Sequence, residues 1–519
     1  MDKTRGIVPR KIKGFRDIDP DLNQLKRMII ENASKVYRLY GFEHWDTPAI
    51  EYADNLGKYM PDSDTIDQGV YSFRNPEIEP VLMSNGKPLR DKDNRVVMEN
   101  QFLSLRYDLT APLARMYAEK TFEISKRGQL TANNAPLFRR FQFGPVYRYE
   151  TKLDPGRFRE FWQLDFDTVG TKDVSADAEV CMILSDALEA IGLKRNSYVV
   201  KVNNRKVLKG LLQQLGIKTE EEEQNILRII DKYDKIGLYG VKAELGNGRK
   251  DESGAVIEGL ELDQSIIDGI DAFLEKFQEG ASRSTILSKL ENQLQDTEMG
   301  TEGIQELNKI NDILTRLGYA EDRVIFDPTL VRGMAYYTGP IFEVESKQFY
   351  LDEKGRERRV GSICGGGRYD GLVEKLNGAA IPATGASIGV DRLAELLVKT
   401  NQVPEKVIGP VFIVVFDEEL MPEYQKIASE LRENDIEAEV YYGSARGMKK
   451  QFKYADDRNA PLAIMLGSDE MEKGVVSVKD LIMGRAGSDI KDKDEWRAKV
   501  QSEVKREDLV EFIQNKLKK

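Results

Sequence analysis

Histidine is nearly absent from this chain, which has 519 residues and a single His44. A Ser-His-Asp triad needs an imidazole bonded to two partners, and zinc hydrolases need two or three imidazoles. Neither chemistry can be built here, and His44, inside GFEHWDTPAI, reads as a structural residue at a helix-to-strand junction. Cysteine is almost as scarce: Cys181 and Cys364 stand alone and no C-x-x-C occurs. That excludes a disulfide scaffold and a Cys or His metal site, and it favours the reducing cytoplasm. No apolar run approaches the ~20 residues that span a bilayer. The basic start, MDKTRGIVPRKIKGFRD, lacks the apolar stretch of a secretory signal. A surplus of positive charge is missing too, the net charge being −11. Nonspecific polyanion binding through overall charge is therefore disfavoured, although a local basic stripe would still suffice for a nucleic acid. Whatever chemistry the chain performs must rest on carboxylates, Arg, Tyr, Gln and backbone groups.

What is present is a globular composition, 40% hydrophobic and 32% charged, at a length that suggests about three domains. Helical spacing of Leu22, Leu25, Ile29, Val36 and Leu39 predicts a helix over Asp21 to Tyr40, ended by Gly41. Residues 73–100 alternate short apolar pieces with PE, NGK and RDKDN turns and read as β-hairpins. LSLRYDL, FQFGPVYRYE and REFWQLDFDTV read as strands, and Pro112 opens a helix. A mostly helical stretch covers 194–318. Strands return in VRGMAYYTGPIFEVE and RRVGSICGGGRY, followed by a helix in SIGVDRLAELLVK. Beyond a linker near 400–410 the rhythm becomes strand–helix–strand, predicting a small parallel sheet covered by helices.

Period-2 spacing points to the chemistry. In LRYDLT, Arg106, Asp108 and Thr110 share a face. In GPVYRYE, so do Arg148 and Glu150. In FWQLDFDT, Gln163, Asp165 and Asp167 oppose an apolar face of Trp162, Leu164 and Phe166. A sheet with one wet face would give this pattern; so would a pocket whose acids and amides orient a cationic or imidazole substrate while Arg holds phosphate. Arg332, within an aromatic segment, must meet either an acid or a ligand. CGGGRYDG is no Walker loop and reads as a turn or as close packing. Gly385 and Gly389 would let the backbone approach a flat ligand. Arg446, Lys449, Lys450 and Lys453, interleaved with Phe452 and Tyr454, form either a solvated basic face or an RNA-contacting one.

Taken in order, these segments resemble the histidyl-tRNA synthetase family of class II aminoacyl-tRNA synthetases over most of the chain. KIKGFRD is similar to the family's opening signature, and YGFEHWDTPAIE to motif 1, which in the family forms a dimer interface. VYRYETKLDPGRFREFWQLDFD resembles motif 2, and ATGASIGVDRL resembles motif 3. LVRGMAYYTGPIFE and GGGRYDGL resemble the two peptides distinctive of the histidine enzymes. The wording RYDLT and FWQLDFD looks closer to a eukaryote-like branch.

The resemblance implies an α/β (α+β) fold: an antiparallel sheet core flanked by helices, a mostly helical insertion domain and a C-terminal α/β anticodon-binding domain. The implied boundaries are 1–193 and 319–402 for the two parts of the catalytic core, 194–318 for the insertion and 408–519 for the anticodon-binding domain. It also implies a cytoplasmic, homodimeric histidine–tRNA ligase that uses ATP with Mg²⁺, L-histidine and a histidine-specific tRNA. By the same resemblance Asp108, Thr110 and Gln163 receive the ammonium group, and Asp167 with one of Tyr336 and Tyr337 holds the imidazole. Arg148 contacts the substrate carboxylate and the α-phosphate. Glu150 and Arg157 bind the ATP base and phosphates, Arg332 stabilises the pentavalent α-phosphate, and Arg392 holds the γ-phosphate. Lys449, Lys450 and Lys453, with Arg446, would touch tRNA. Ala335 departs from the pattern, standing where the family commonly has an acid. A noncatalytic histidine-binding regulator and a ligase for another amino acid are the competing readings. The four arginines, the C-terminal domain and Asp167 argue against them.

Overall fold

Helix α1, Pro20–Leu39, begins where Asp19 accepts a hydrogen bond from the Leu22 amide at 2.8 Å, with Pro20 in the first turn. An aspartate cap and an early proline are both helix-start chemistry. It ends before Gly41, whose φ of +80° continues the chain in the left-handed region. Its buried stripe of Leu25, Ile29, Ala33 and Tyr37 packs on the sheet, where the Tyr37 ring lies 4.8 Å from that of Phe166 and 5.7 Å from that of Phe141.

The computed structural model describes residues 9–57, 69–83, 87–150, 156–251, 254–277, 280–331, 337–352, 354–371, 373–403, 408–443, 447–486 and 500–518. Among them an eight-stranded sheet dominates the first of two compact units, Met1–Val403. Its strands are β1 (Glu43–His44), β2 (Phe138–Tyr147), β3 (Glu160–Val169), β4 (Tyr198–Asn204), β5 (Val324–Phe326), β6 (Pro340–Ser346), β7 (Ser362–Arg368) and β8 (Ala383–Gly389). They lie in the order β1-β2-β3-β8-β7-β6-β4-β5, with the inner pairs antiparallel and both outer pairs parallel. His44 stacks on the rings of Phe141 and Phe143 at 5.0 and 4.8 Å, a packing role.

The stretch 194–318 is mostly helical, as expected, but it opens with β4, a strand missed by the sequence reading, which pairs with β6 along its whole length. β4 is buried on both faces, so YVVKVNN shows little of the alternation that reveals a strand. Helix α3, Glu298–Arg316, and the helix Arg205–Gln214 in this stretch bury Ile304, Leu307, Val207 and Leu211 in the same core as Val200, Val202 and Phe342. LRYDLT is not one strand. The strand Phe102–Leu105 stops, and helix α2, Thr110–Lys120, starts five residues later.

The second unit, Pro404–Lys519, holds its own core of Val411, Ile413, Ile427, Leu431 and Ile464. Strands Ala438–Val440, Val411–Ile413 and Leu462–Met465 run parallel, as expected. Val475–Asp480 and Gln501–Lys505 then add two antiparallel strands, so the sheet is mixed. The nine residues 466–474 are shorter than the dozen or more a parallel crossover requires. Among the described residues no helix is long and apolar enough to cross a membrane.

Candidate active site

The register of three strands creates a polar floor. Between β2 and β3, Arg140 stands opposite Asp167 and Gln142 opposite Asp165. Between β3 and β8, Gly385 stands opposite Asp167, Ser387 opposite Asp165 and Gly389 opposite Gln163. The other face of β3 buries Leu164 and Phe166 in the core, so period 2 sends Gln163, Asp165 and Asp167 into a cavity of about 1170 Å³. Asp108, Thr110, Arg148, Glu150, Arg157, Gln163, Asp167, Tyr337 and Arg392, all named from the sequence, line that one cavity. Arg332, Ala335 and Tyr336 lie outside the described residues, as does Arg446.

Asp108 arrives by a different route from the expected strand. Its Oδ1 accepts the amides of Thr110 and Ala111 at 3.0 and 2.9 Å, capping α2. Arg106, predicted on the same face as Asp108, is instead buried away from it, donating to the carbonyls of Thr47 and Pro145 at 2.8 Å each.

Asp167 is held from two sides. Arg140 Nη2 lies 3.1 Å from Asp167 Oδ2, and the Tyr369 hydroxyl donates to Oδ1. Burial still pushes the Asp167 carboxyl above its ordinary range, against the pull of Arg140 and Tyr369. Asp165 is pushed up to about 7, first by burial and then by Asp167, with Arg140 opposing. Gln163 Nε2 donates to Ser387 Oγ at 2.8 Å. Gln163 Oε1 and Asp165 Oδ1 are buried with no hydrogen-bond partner among the described residues. Unpaired buried acceptors are costly, and those that line a cavity mark where a ligand's donors belong.

Away from that floor the lining mixes arginines and lysines with acids. Arg148 Nε donates to the Tyr107 carbonyl at 3.1 Å, and its guanidinium lies 4.3 Å from the Tyr107 ring centroid and 5.3 Å from that of Phe161. Arg157 stands 3.7 Å from Glu150. Arg392, in helix α4 (Val390–Lys399), donates to the Ser362 carbonyl at 2.6 Å. Its neighbour Asp391 ties the floor together by accepting from Arg16, from Lys26 at 3.1 Å and from the Trp162 amide at 2.6 Å. The KGFRD segment is thus anchored through Arg16, which also lies 3.5 Å from the Phe158 ring centroid.

The glycines resolve toward close packing. A Cβ on Gly385 would collide with the Asp167 carboxylate, and one on Gly367 would sit 2.6 Å from the Tyr337 ring. Gly385 therefore makes room for a protein side chain, where the sequence suggested a flat ligand. Sequence reasoning missed Arg140, Tyr369 and Ser387 as site residues. The signal for Arg140 was legible in FRRFQF, where it shares a period-2 face with Gln142. The other two carried none beyond their place in quoted motifs. In the second unit Lys449, Lys450 and Lys453 lie on the exposed side of helix α5, Met448–Asp457. Among the described residues no group of three or more His, Cys, Asp or Glu is placed to hold a metal ion.

Comparison with known proteins identifies the relatives of this chain. The family described as histidyl-tRNA synthetase matches residues 77–393, and the anticodon binding domain matches residues 410–516. The chain is 44% identical to a histidine–tRNA ligase of Paracoccus denitrificans over 96% of this chain and 95% of that one. It is 44% identical to another from Rhizobium leguminosarum over 98% and 93%. The crystal structure of histidyl-tRNA synthetase from Nostoc sp. PCC 7120 superposes with a TM-score of 0.67 at 28% identity, covering 98% of this chain and 100% of that one. A helix-flanked sheet with a C-terminal anticodon-binding domain is the expected class II architecture. The eukaryote-like branch finds no support, since these relatives are bacterial. Residues of both segments line the cavity.

Proposed function

The chain belongs to the histidyl-tRNA synthetase family, and from that premise we propose how its cavity performs the family's reaction. The activity is that of a histidine–tRNA ligase: L-histidine and ATP give histidyl-adenylate and pyrophosphate, and histidine then passes to the 3′ end of its tRNA. Asp108, Thr110 and Gln163 receive the substrate's ammonium group. Asp167 and one of Tyr336 and Tyr337 bind the imidazole, whose ring nitrogens a carboxylate and a phenol can both engage. Such a site rejects isosteres by leaving its own polar groups unpaired. Arg148 spans the substrate carboxylate and the α-phosphate, Glu150 and Arg157 hold ATP, Arg392 takes the γ-phosphate, and Arg332 meets the charge that builds on the α-phosphate. The carboxylate attacks the α-phosphorus and pyrophosphate leaves. The terminal ribose hydroxyl of tRNA then attacks the adenylate. Positioning and fixed positive charge supply most of the acceleration in such chemistry, so no protein imidazole is needed. Mg²⁺ enters on the nucleotide, where it neutralises phosphate charge.

The observation that carries this reading is the meeting of Asp108, Gln163 and Asp167 at the buried end of one cavity whose outer part holds Arg148, Arg157 and Arg392. The same proposal takes 1–193 and 319–402 as the catalytic core, 194–318 as an insertion touching the acceptor stem, and 408–519 as the anticodon reader, with α5 against RNA. A homodimer belongs to it as well: Ile78, Leu82, Met98 and Phe102 leave an apolar surface exposed on the segment after motif 1. A cytoplasmic setting follows from the substrates. Histidine-dependent ATP–pyrophosphate exchange tests the assignment. Arg332→Ala should cut it by roughly 10²–10³-fold, the scale of one lost transition-state contact, and a wild-type rate in that variant would remove Arg332 from the mechanism. Exchange driven by another amino acid, or histidine binding without exchange, would overturn the ligase reading itself.

A further inference from the structure

Asp165 stands between two residues given substrate contacts and has so far been given none. We propose that Asp165 is a positioning residue: acting through the Ser387 hydroxyl, it fixes the Gln163 amide so that Oε1, rather than the NH₂ group, faces the substrate's ammonium. This rests on reading Gln163 as an ammonium acceptor.

The register supplies the geometry. Asp165 is directly opposite Ser387 across β3 and β8, and Gln163 is one pleat along on the same face. Gln163 Nε2 donates to Ser387 Oγ at 2.8 Å, and the Ser387 hydroxyl, directly across the sheet from Asp165, opposes the upward push of burial on that carboxyl. A serine hydroxyl has one proton and an ionised carboxylate has none to give. Above about pH 7, where Asp165 is ionised, the direction of the chain is forced: Ser387 gives its proton to Asp165, its oxygen accepts from the Gln163 NH₂, and Gln163 Oε1 is turned away from the pair. That oxygen is buried without a hydrogen-bond partner among the described residues, as an acceptor kept for a ligand would be. If Ser387 lost its acceptor, its proton could go to Gln163 instead. The amide would then turn over and present two N–H donors to an incoming ammonium, which has only donors itself. Asp165 does not duplicate Asp167, which faces Tyr369 and Arg140 and keeps Oδ2 without a hydrogen bond among the described residues.

The test compares two ligands of the full-length protein by calorimetry at about pH 8.5, above the titration of Asp165: L-histidine and 3-(imidazol-4-yl)propionate, which keeps the ring and carboxylate but lacks the ammonium. Asp165→Asn and Ser387→Ala should each weaken histidine by roughly 10- to 100-fold, the size of one hydrogen bond to a charged group. Binding of the analogue should change less than about twofold, and Ser387→Thr, which keeps the hydroxyl, should restore histidine affinity. Ser387→Ala carries the test alone if Asp165→Asn fails to fold. Equal losses for both ligands would mean a packing role, and no loss for either would mean no role. A loss in Asp165→Asn without one in Ser387→Ala would mean that charge acts directly; each of these outcomes overturns the relay. Gln163→Leu separates the premise from the proposal. If it leaves the preference for histidine intact, the ammonium reading of Gln163 is wrong. If it abolishes that preference while Asp165→Asn does not, only the relay is wrong.

Discussion

The inner and outer ends of the cavity solve opposite problems. At the inner end Asp108, Gln163, Asp165 and Asp167 are 7%, 9%, 2% and 3% exposed, and each is held by a capped helix, a cross-strand partner or a buried ion pair. At the outer end the Arg157 and Glu150 side chains are 35% and 32% exposed and 3.7 Å apart. Desolvated charges cannot be left loose, so the inner end must be set before substrate arrives, and a small polar amino acid is read against fixed groups. Half-exposed guanidinium groups are screened by water and cost little unpaired. They can wait for a polyanion that brings its own charge. In the proposed reaction, discrimination therefore belongs to the rigid end and phosphate handling to the loose one.

The contrast breaks most visibly at Asp167. Asp167→Ala leaves Arg140, 1% exposed, without its carboxylate and Tyr369 without its acceptor. The cost should be roughly 3–5 kcal/mol by urea denaturation, as for other severed buried pairs, and exchange should be lost. Arg157→Ala should change stability by less than ~1 kcal/mol yet raise the KM for ATP by roughly 10- to 100-fold, the worth of one charge-assisted contact. Comparable destabilisation in the two variants would show that both ends are built alike.

Acidity gives a smaller effect. Asp165 is raised to about 7 by burial and then by Asp167, whereas in the unfolded chain an Asp titrates near ~3.9. Between those values the unfolded chain has released a proton that the folded protein keeps. The contribution of Asp165 to stability therefore falls as pH rises from about 4 to about 7 and is level above, at no more than ~1.4 kcal/mol per pH unit. Asp177, raised to about 6 by burial against Arg368, adds a slope of the same sign. Asp165→Asn should flatten the wild-type profile within that window and leave it unchanged above pH 8. An unaltered slope would mean that Asp165 is ionised throughout, and that the inner end tolerates more charge than its burial suggests.

How much of this was legible in the sequence follows the same division. FWQLDFDT announced its polar face because β3 has one apolar side and one lined side, so alternation survived. β4 did not announce itself, because a strand buried on both sides loses alternation. Asp108 was found for the wrong geometric reason: Asp-x-Thr fits both a strand face and a helix cap, and only the chain's turn after Leu105 decides between them. Tyr369 and Ser387 were invisible as site residues because their partners, Asp167 and Asp165, come from strands about two hundred residues away. Motif wording brought their segments to attention, but only register brought the side chains together.

The least buried charges give the finest test of the contrast. Lys449, Lys450 and Lys453 lie on the exposed face of α5. The turns beside them are built by other residues: Gln451 pairs with the backbone of Val415 at 2.7 and 2.9 Å, and Tyr454 donates to Glu439 at 2.6 Å. Fold and surface charge are thus separable on this helix, as they are not at Asp167. Neutralising Lys449 and Lys450 together, as Lys449→Gln with Lys450→Gln, should leave thermal stability and pyrophosphate exchange at wild-type values. It should weaken tRNA charging several-fold and lower the slope of log KM against log salt by about one to two, the counterions of two phosphate contacts. Loss of exchange would mean that these lysines serve the fold. An unchanged salt slope, with both activities intact, would make this face a solvated surface that RNA does not touch.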